Sequence, residues 1–287
     1  IASEYRYSDP RVNDRTLVIA VSQSGETADT LAAVREAKGK GARVLAVTNV
    51  LGSSLAREAD WALYTQAGPE IAVASTKAYT TQLVCLALAA LYMGRARGTL
   101  DPLKEQELVS AITALPRQVQ RTVDELESRT RALASSWGNV RDVFYIGRGI
   151  DWAVAMEGQL KLKEIAYIHA EALAAGELKH GTLALIEPGV EVIALVTQRR
   201  VFEKSLSNLK EVAARGGRIT AIAMENCPDR ASLEDAADDV WYLPATEEEL
   251  APVLAAVPLQ LLAYYAAALR GCDVDKPRNL AKAVTVE

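Results

Sequence analysis

Histidine and cysteine are scarce in this 287-residue chain, with two of the former and three of the latter. Cys85, Cys227 and Cys272 stand far apart and form no Cys-x-x-Cys pair, so no metal site is expected and a reduced, cytoplasmic setting fits. Positive charge is not in excess either. Lys and Arg number 32 against 37 Asp and Glu, a net charge of -5, which leaves no electrostatic footprint for a nucleic-acid partner. A phosphate site must therefore draw its positive potential locally. Long hydrophobic runs are missing too. The most apolar stretch, around Leu83 to Met93, falls short of the roughly 20 residues that span a bilayer and reads as a buried helix. No membrane association and no secretory leader are expected. The chain opens on Ile1 rather than Met, as expected of a processed or excised piece.

What is present is half apolar residues and 24% charged ones, the composition of a globular protein with room for two domains. Thr16–Val21, Arg43–Thr48 and Trp61–Tyr64 read as buried strands, with a helix over 27–38 ended by Gly39 and Gly41. A long helix with almost no polar face follows Ser75-Thr76-Lys77. This strand–helix–strand order implies a parallel sheet with crossover helices. Leu103 to Ser136 reads as polar helices forming a connector. The pattern then restarts: strand 143–146, a Gly147-Arg148-Gly149 turn, helix 152–170, strand 191–196, helix 202–215, strands 218–223 and 240–243, and a last helix over 249–269.

The two halves repeat. Residues 40–47 match 215–222, residues 3–7 match 176–180, and Val18–Val21 matches Val192–Leu195, all at nearly one offset, which argues for duplicated α/β domains. The second copy opens with a strand, turn and helix over about 142–175 that the first copy does not show. The first domain is thus expected to lack its opening segment.

The loop Ser22-Gln23-Ser24-Gly25-Glu26-Thr27 joins a buried strand to a helix start. Unpaired N–H groups and the dipole of a helix N-terminus favour an anion, Gly25 permits close approach, and three hydroxyls add donors. An ordinary N-capped turn accounts for one hydroxyl, not three, so a phosphate is expected here. The equivalent stretch Val196-Thr197-Gln198-Arg199-Arg200 lacks the pattern, which leaves one phosphate site per chain. Ser75, Thr76 and Lys77 suit either a helix cap or contacts to sugar hydroxyls. Glu157, Lys161 and Glu164 share a helix face, either as a solvated salt-bridge stripe or as the lining of a cleft where a carboxylate beside an ammonium works as base and stabiliser. His180 follows a Gly-containing turn. A lone histidine is more often structural, but its position equivalent to Tyr7 at a domain edge turns the reading towards function; His169 reads as structural. Lys282 is either a solvated tail charge or part of a docked tail, which Pro277, Leu280, Val284 and Val286 favour.

The segments SQSGETADT, VASTKAYTTQL, EGQLKLKEIAYIHAEALAAGELKHG and DKPRNLAKAVTVE, in that order along essentially the whole chain, resemble the isomerase half of the glutamine–fructose-6-phosphate transaminases, two sugar isomerase (SIS) domains in tandem. The resemblance implies an α/β fold of two SIS-type domains, each a mainly parallel sheet flanked by helices, the first truncated at its N-terminus. The expected limits are 1–102 for the first domain, 103–136 for the connector, 137–271 for the second domain and 272–287 for a tail over the active site.

It further implies that Ser22, Gln23, Ser24 and Thr27 bind phosphate, and that Val73 and Ser75 contact the sugar. Glu164 moves a proton between C1 and C2, with Lys161 as its charged neighbour. His180 assists ring opening from the partner subunit of a homodimer, and Lys282 lies over the open-chain sugar. The implied partners are fructose-6-phosphate, glucosamine-6-phosphate and a glutaminase domain; no metal or organic cofactor is implied. Thr182 stands where the family usually carries Pro. The family's glutaminase domain, and an opening SIS segment that also touches substrate, are not in this sequence. The competing expectations are a non-catalytic SIS sugar-phosphate sensor, which explains the phosphate loop but not Glu164, His180 and Lys282 together, and a stand-alone phosphosugar isomerase.

Overall fold

The computed structural model describes residues 1–285, which fall into two compact units: 1–99 with the segment from Arg278 on, and 100–277. Val286, expected to help dock the tail, lies outside the described residues.

Unit 1 runs α1 (Ala2–Tyr5), β1 (Leu17–Val21), α2 (Ala28–Gly39), β2 (Arg43–Thr48), α3 (Ser54–Glu58), β3 (Trp61–Tyr64) and α4 (Lys77–Ala96). Its strands pair in parallel in the order β1-β2-β3, with Val21 beside Val47 and Thr48 beside Tyr64. Val44 and Ala46 of β2 are fully buried, packed with Leu31 and Val34 of α2 and Leu55 of α3. β1 is an edge strand, and its Leu17, Ile19 and Val21 remain 41%, 39% and 39% exposed.

Unit 2 begins with α5 (Pro102–Ser136), a single helix. Asp101 caps it by accepting the N–H groups of Leu103 and Lys104. The stretch expected as a connector packs along the last helix, Ala251–Leu269, within this unit, with Leu115, Leu126 and Leu133 buried. Then come β4 (Asp142–Gly147), α6 (Ile150–Lys161), a π-helical turn (Leu162–Ala166), β5 (His169–Ala174), two 3-10 turns (Ala175–His180 and Thr182–Leu185), β6 (Glu191–Val196), a 3-10 turn (Arg199–Val201), α7 (Phe202–Ala213), β7 (Arg218–Met224), α8 (Arg230–Ala236), β8 (Asp239–Leu243) and α9 (Ala251–Leu269). All five strands are parallel, in the order β5-β4-β6-β7-β8. The apolar run Val192–Val196 of β6 is wholly buried between two neighbours, and Glu191 ahead of it is buried too, paired with Arg218 at 3.3 Å.

The duplication is visible in the elements. β1, α2, β2, α3, β3 and α4 recur in order as β6, α7, β7, α8, β8 and α9. β4, α6 and β5 have no counterpart among the described residues of unit 1.

Two expectations are corrected. The helix over 152–170 stops being α-helical at Lys161, passes through the π turn and ends at Tyr167, whose φ of +55° no helix tolerates. A strand, β5, follows where His-Ala-Glu-Ala-Leu-Ala had the composition of a helix, and tertiary pairing with β4 overrides that propensity. The most apolar helix is α9 rather than the stretch at 83–93. By length and composition α9 could cross a membrane, but 67% of its apolar window is buried inside the protein, as in a core helix.

Gly147, at the end of β4, lets the first turn of α6 sit directly on the strand. A Cβ there would lie 2.6 Å from the Asp151 carbonyl carbon and 2.7 Å from the Trp152 nitrogen, both rigid backbone. Gly147→Ala is therefore expected to destabilise unit 2 by at least ~1–3 kcal/mol, read as a lower thermal midpoint; an unchanged midpoint would contradict this packing.

Candidate active site

The loop after β1 is organised by its own hydroxyls. Ser22, buried at the strand end, accepts the Gly25 N–H through Oγ at 3.1 Å, and its Oγ lies 3.1 Å from Thr27 Oγ1. Ser24 Oγ accepts the Glu26 N–H at 3.2 Å. The Gln23 carbonyl accepts the Asn49 N–H at 3.0 Å, which ties the loop to the end of β2. Gly25 has φ +66°, and a Cβ there would meet Ser53 Oγ at 2.2 Å, so only glycine fits the turn. The N–H groups of Gln23, Ser24 and Thr27 meet no acceptor among the described residues. Thr27 is the N-cap of α2, with no side-chain cap bond of its own. Free N–H groups and hydroxyls at a helix N-terminus, beyond the carboxyl end of a parallel strand, make an anion-binding cradle.

A second loop of unit 1 holds Val73 and Ser75, both half-buried. Its helix, α4, is capped neither by Thr76 nor by Ser75. Glu70 does this, accepting the Ala78 N–H at 2.8 Å and the Thr76 N–H at 3.3 Å through Oε2. Lys282 in the tail donates to the Ala72 carbonyl at 2.7 Å and to Ser75 Oγ at 3.4 Å. The tail also reaches the first loop, where the Val284 carbonyl accepts the Ala28 N–H at 3.1 Å. The structure thus brings Ser22–Thr27, Ser75 and Lys282 together within unit 1.

In unit 2 the acidic and basic side chains of α6 turn inward. Lys161 is 4% exposed, and its ammonium donates to Glu164 Oε2 at 2.6 Å and lies 3.6 Å from Glu157 Oε1. A solvated stripe is excluded by that burial. Glu164 belongs to the π turn and lies three residues after Lys161, the spacing that puts the two side chains on one helix face. Burial pushes Glu157 up to about 7; Lys161 pulls it back down and the charge of Glu164 adds to the rise. The result is a carboxylate, Glu164, still one-fifth exposed, oriented by a buried ammonium: the arrangement of a positioned base.

His180 stands apart. It ends the first 3-10 turn, exposed, with no hydrogen bond or ion pair to Glu157, Lys161 or Glu164 among the described residues. His169 pairs with Asp142 at 3.0 Å on the surface. Two functional-looking acids went unread in the sequence. Glu70 had no signal beyond lying seven residues before a helix. Asp151 is 1% exposed, and its carboxylate accepts the Thr197 N–H at 2.8 Å and the Thr197 hydroxyl at 2.5 Å. It sits where unit 2 would present the counterpart of the Ser22 loop. Burial raises it to about 6, against the hydrogen bonds from Thr197.

The SIS domain model matches residues 1–92 and 139–270. The glutamine–fructose-6-phosphate aminotransferase (isomerizing) of Caldanaerobacter subterraneus subsp. tengcongensis is 61% identical over the whole chain, and that of Symbiobacterium thermophilum 59%. The chain spans about half the length of these relatives, 46% of each. Among solved structures, the C-terminal domain of glucosamine-fructose-6-phosphate aminotransferase from Francisella tularensis superposes with a TM-score of 0.90 at 41% identity, over 96% of this chain and 78% of that one.

The raised Glu157 carboxyl carries a stability signature. Its folded value lies above its ordinary 4.5, so the folded state holds the proton more tightly. The associated stability is full below 4.5 and is lost as the pH rises to about 7. Glu157→Gln, which cannot ionise, is expected to remove up to ~3 kcal/mol of that pH dependence. The check is thermal midpoint against pH from 4 to 8; parallel curves for the two proteins would contradict it.

Proposed function

The chain belongs to the SIS domain family, within the glutamine–fructose-6-phosphate aminotransferases, and we propose that it is their sugar-phosphate isomerase half. The reaction converts the imine of fructose-6-phosphate and ammonia to glucosamine-6-phosphate. Ser22, Gln23, Ser24 and Thr27 bind the phosphate, and Val73 and Ser75 face the sugar. Glu164 takes a proton from C1; the C–H electron pair becomes a C1–C2 double bond while the C2=N π pair moves onto nitrogen, which takes up a proton. Glu164 then returns its proton to C2 as the C1 hydroxyl loses its own and becomes the aldehyde carbonyl. Lys161 holds Glu164 aimed, and Lys282 stabilises the enediol-like intermediate. His180 serves ring opening, contributed across a homodimer. A glutaminase domain of the parent protein supplies the ammonia, and the setting is cytoplasmic, which the three free cysteines suit.

The observation that carries this reading is the 2.6 Å contact from the buried Lys161 ammonium to Glu164 Oε2. A sugar-phosphate sensor needs the cradle at Ser22–Thr27 but gains nothing from a buried lysine set between two carboxylates. Asp151 supports a single phosphate site per chain, because it takes the Thr197 donors of the second repeat.

Glu164→Gln is expected to lower turnover by about 10²–10⁴-fold while fructose-6-phosphate still binds. The check pairs interconversion of fructose-6-phosphate and glucose-6-phosphate with calorimetric binding. Undiminished turnover in this variant would contradict the mechanism.

A further inference from the structure

The phosphate loop contains an acid in its own motif, Glu26, and a second acid, Asp29, stands in the first turn of α2. A carboxylate facing the cradle would repel a phosphate dianion. Neither does. Asp29 lies 3.4 Å from Arg6. Glu26 is turned onto α3, where Oε1 accepts the Ser54 N–H at 2.8 Å. That hydrogen bond, with the Ser54 hydroxyl and the charge of Arg57, holds Glu26 below the usual carboxylate range.

Two further contacts tie the same short helix to the same loop. The Leu55 N–H donates to the Gly25 carbonyl at 2.9 Å, and Ser53 packs against the Gly25 α-carbon where a Cβ would clash. Elsewhere, carboxylates sit on the donor ends of other helices: Glu70 on α4, Asp101 on α5 and Asp229 on α8. At α2 the described contacts within the cradle come from hydroxyls and from the Val284 carbonyl. The acid of the loop has been drawn off to the neighbouring helix.

We propose that Glu26 is a positioning residue for the phosphate cradle. Docked on the Ser54 N–H, its carboxylate braces the loop against α3 and is kept away from the bound phosphate. Glu26 does not touch the ligand; it fixes the backbone on which the N–H groups of Gln23, Ser24 and Thr27 are carried. This rests on the phosphate reading of the loop given above.

The test is calorimetric titration of the whole chain with inorganic phosphate and with fructose-6-phosphate, alongside steady-state isomerisation. Glu26→Ala frees the loop and is expected to weaken both ligands by about 5- to 30-fold, the effect of one or two kcal/mol. It is expected to raise KM by the same factor and leave kcat unchanged. Glu26→Gln keeps the acceptor for the Ser54 N–H and is expected to restore binding to within about twofold. Ser54→Pro removes that N–H at the first position of α3, where proline is tolerated, behind a Ser53 already extended at ψ 161°. It is expected to reproduce the Glu26→Ala loss without lowering the thermal midpoint. Wild-type affinity in both Glu26→Ala and Ser54→Pro would overturn the proposal. So would equal weakening in Glu26→Ala and Glu26→Gln, or tighter phosphate binding by Glu26→Gln, which would mean the carboxylate faces the ligand. If the wild-type chain binds neither ligand, the phosphate reading itself fails, and the brace with it.

Discussion

A buried ammonium sets the terms for unit 2. Lys161 is almost wholly enclosed, and a lone charge in that position would cost several kcal/mol. Two carboxylates offset the cost, one behind it at 3.6 Å and one in front at 2.6 Å. They differ in their surroundings: Glu157 is enclosed and drawn towards its protonated form, while Glu164 keeps an exposed flank. Glu164 lies three residues after Lys161, on the same helix face, within the π turn, and only Tyr167 and Ile168 separate that turn from β5. Two acids on one helix face thereby acquire different chemistry.

Unit 1 solves an electrostatic problem of the other sign. With no general excess of positive charge in the chain, an anion site here, under the proposed function, is built from dipoles, N–H groups and hydroxyls. Such groups attract any nearby carboxylate, including those of the chain itself. Glu26, Glu70 and Asp29 are each engaged elsewhere, and in unit 2 Asp151 occupies the corresponding donors of the second repeat. Under the proposed function, a site for one phosphate is kept open as much by where these acids go as by the hydroxyls of the loop.

Much of this was legible in the chain. Continuous apolar runs marked β1, β2, β6 and β7, and the near-constant offset between the halves marked the duplication. The Ser-Gln-Ser-Gly loop announced its own backbone, because glycine and hydroxyl side chains state a local conformation. What escaped was set by contacts distant in sequence. β5 has helix-forming residues and becomes a strand because β4 offers it an edge. The end of α6 depends on Tyr167 adopting a left-handed conformation. Glu70 and Asp151 reach their N–H partners across loops, with no spacing rule to reveal them. The burial of Lys161 decided between a solvated stripe and a lined site, and periodicity alone left that open.

The central claim is that Glu164 moves a proton between adjacent sugar carbons while Lys161 holds it ready. It is tested most directly by proton NMR of fructose-6-phosphate incubated with the chain in deuterated water. The account predicts that signal is lost at C1 and that glucose-6-phosphate carrying deuterium at C2 builds up. Unaltered C1 protons and no aldose product, under conditions where binding of the sugar phosphate is saturated, would contradict it.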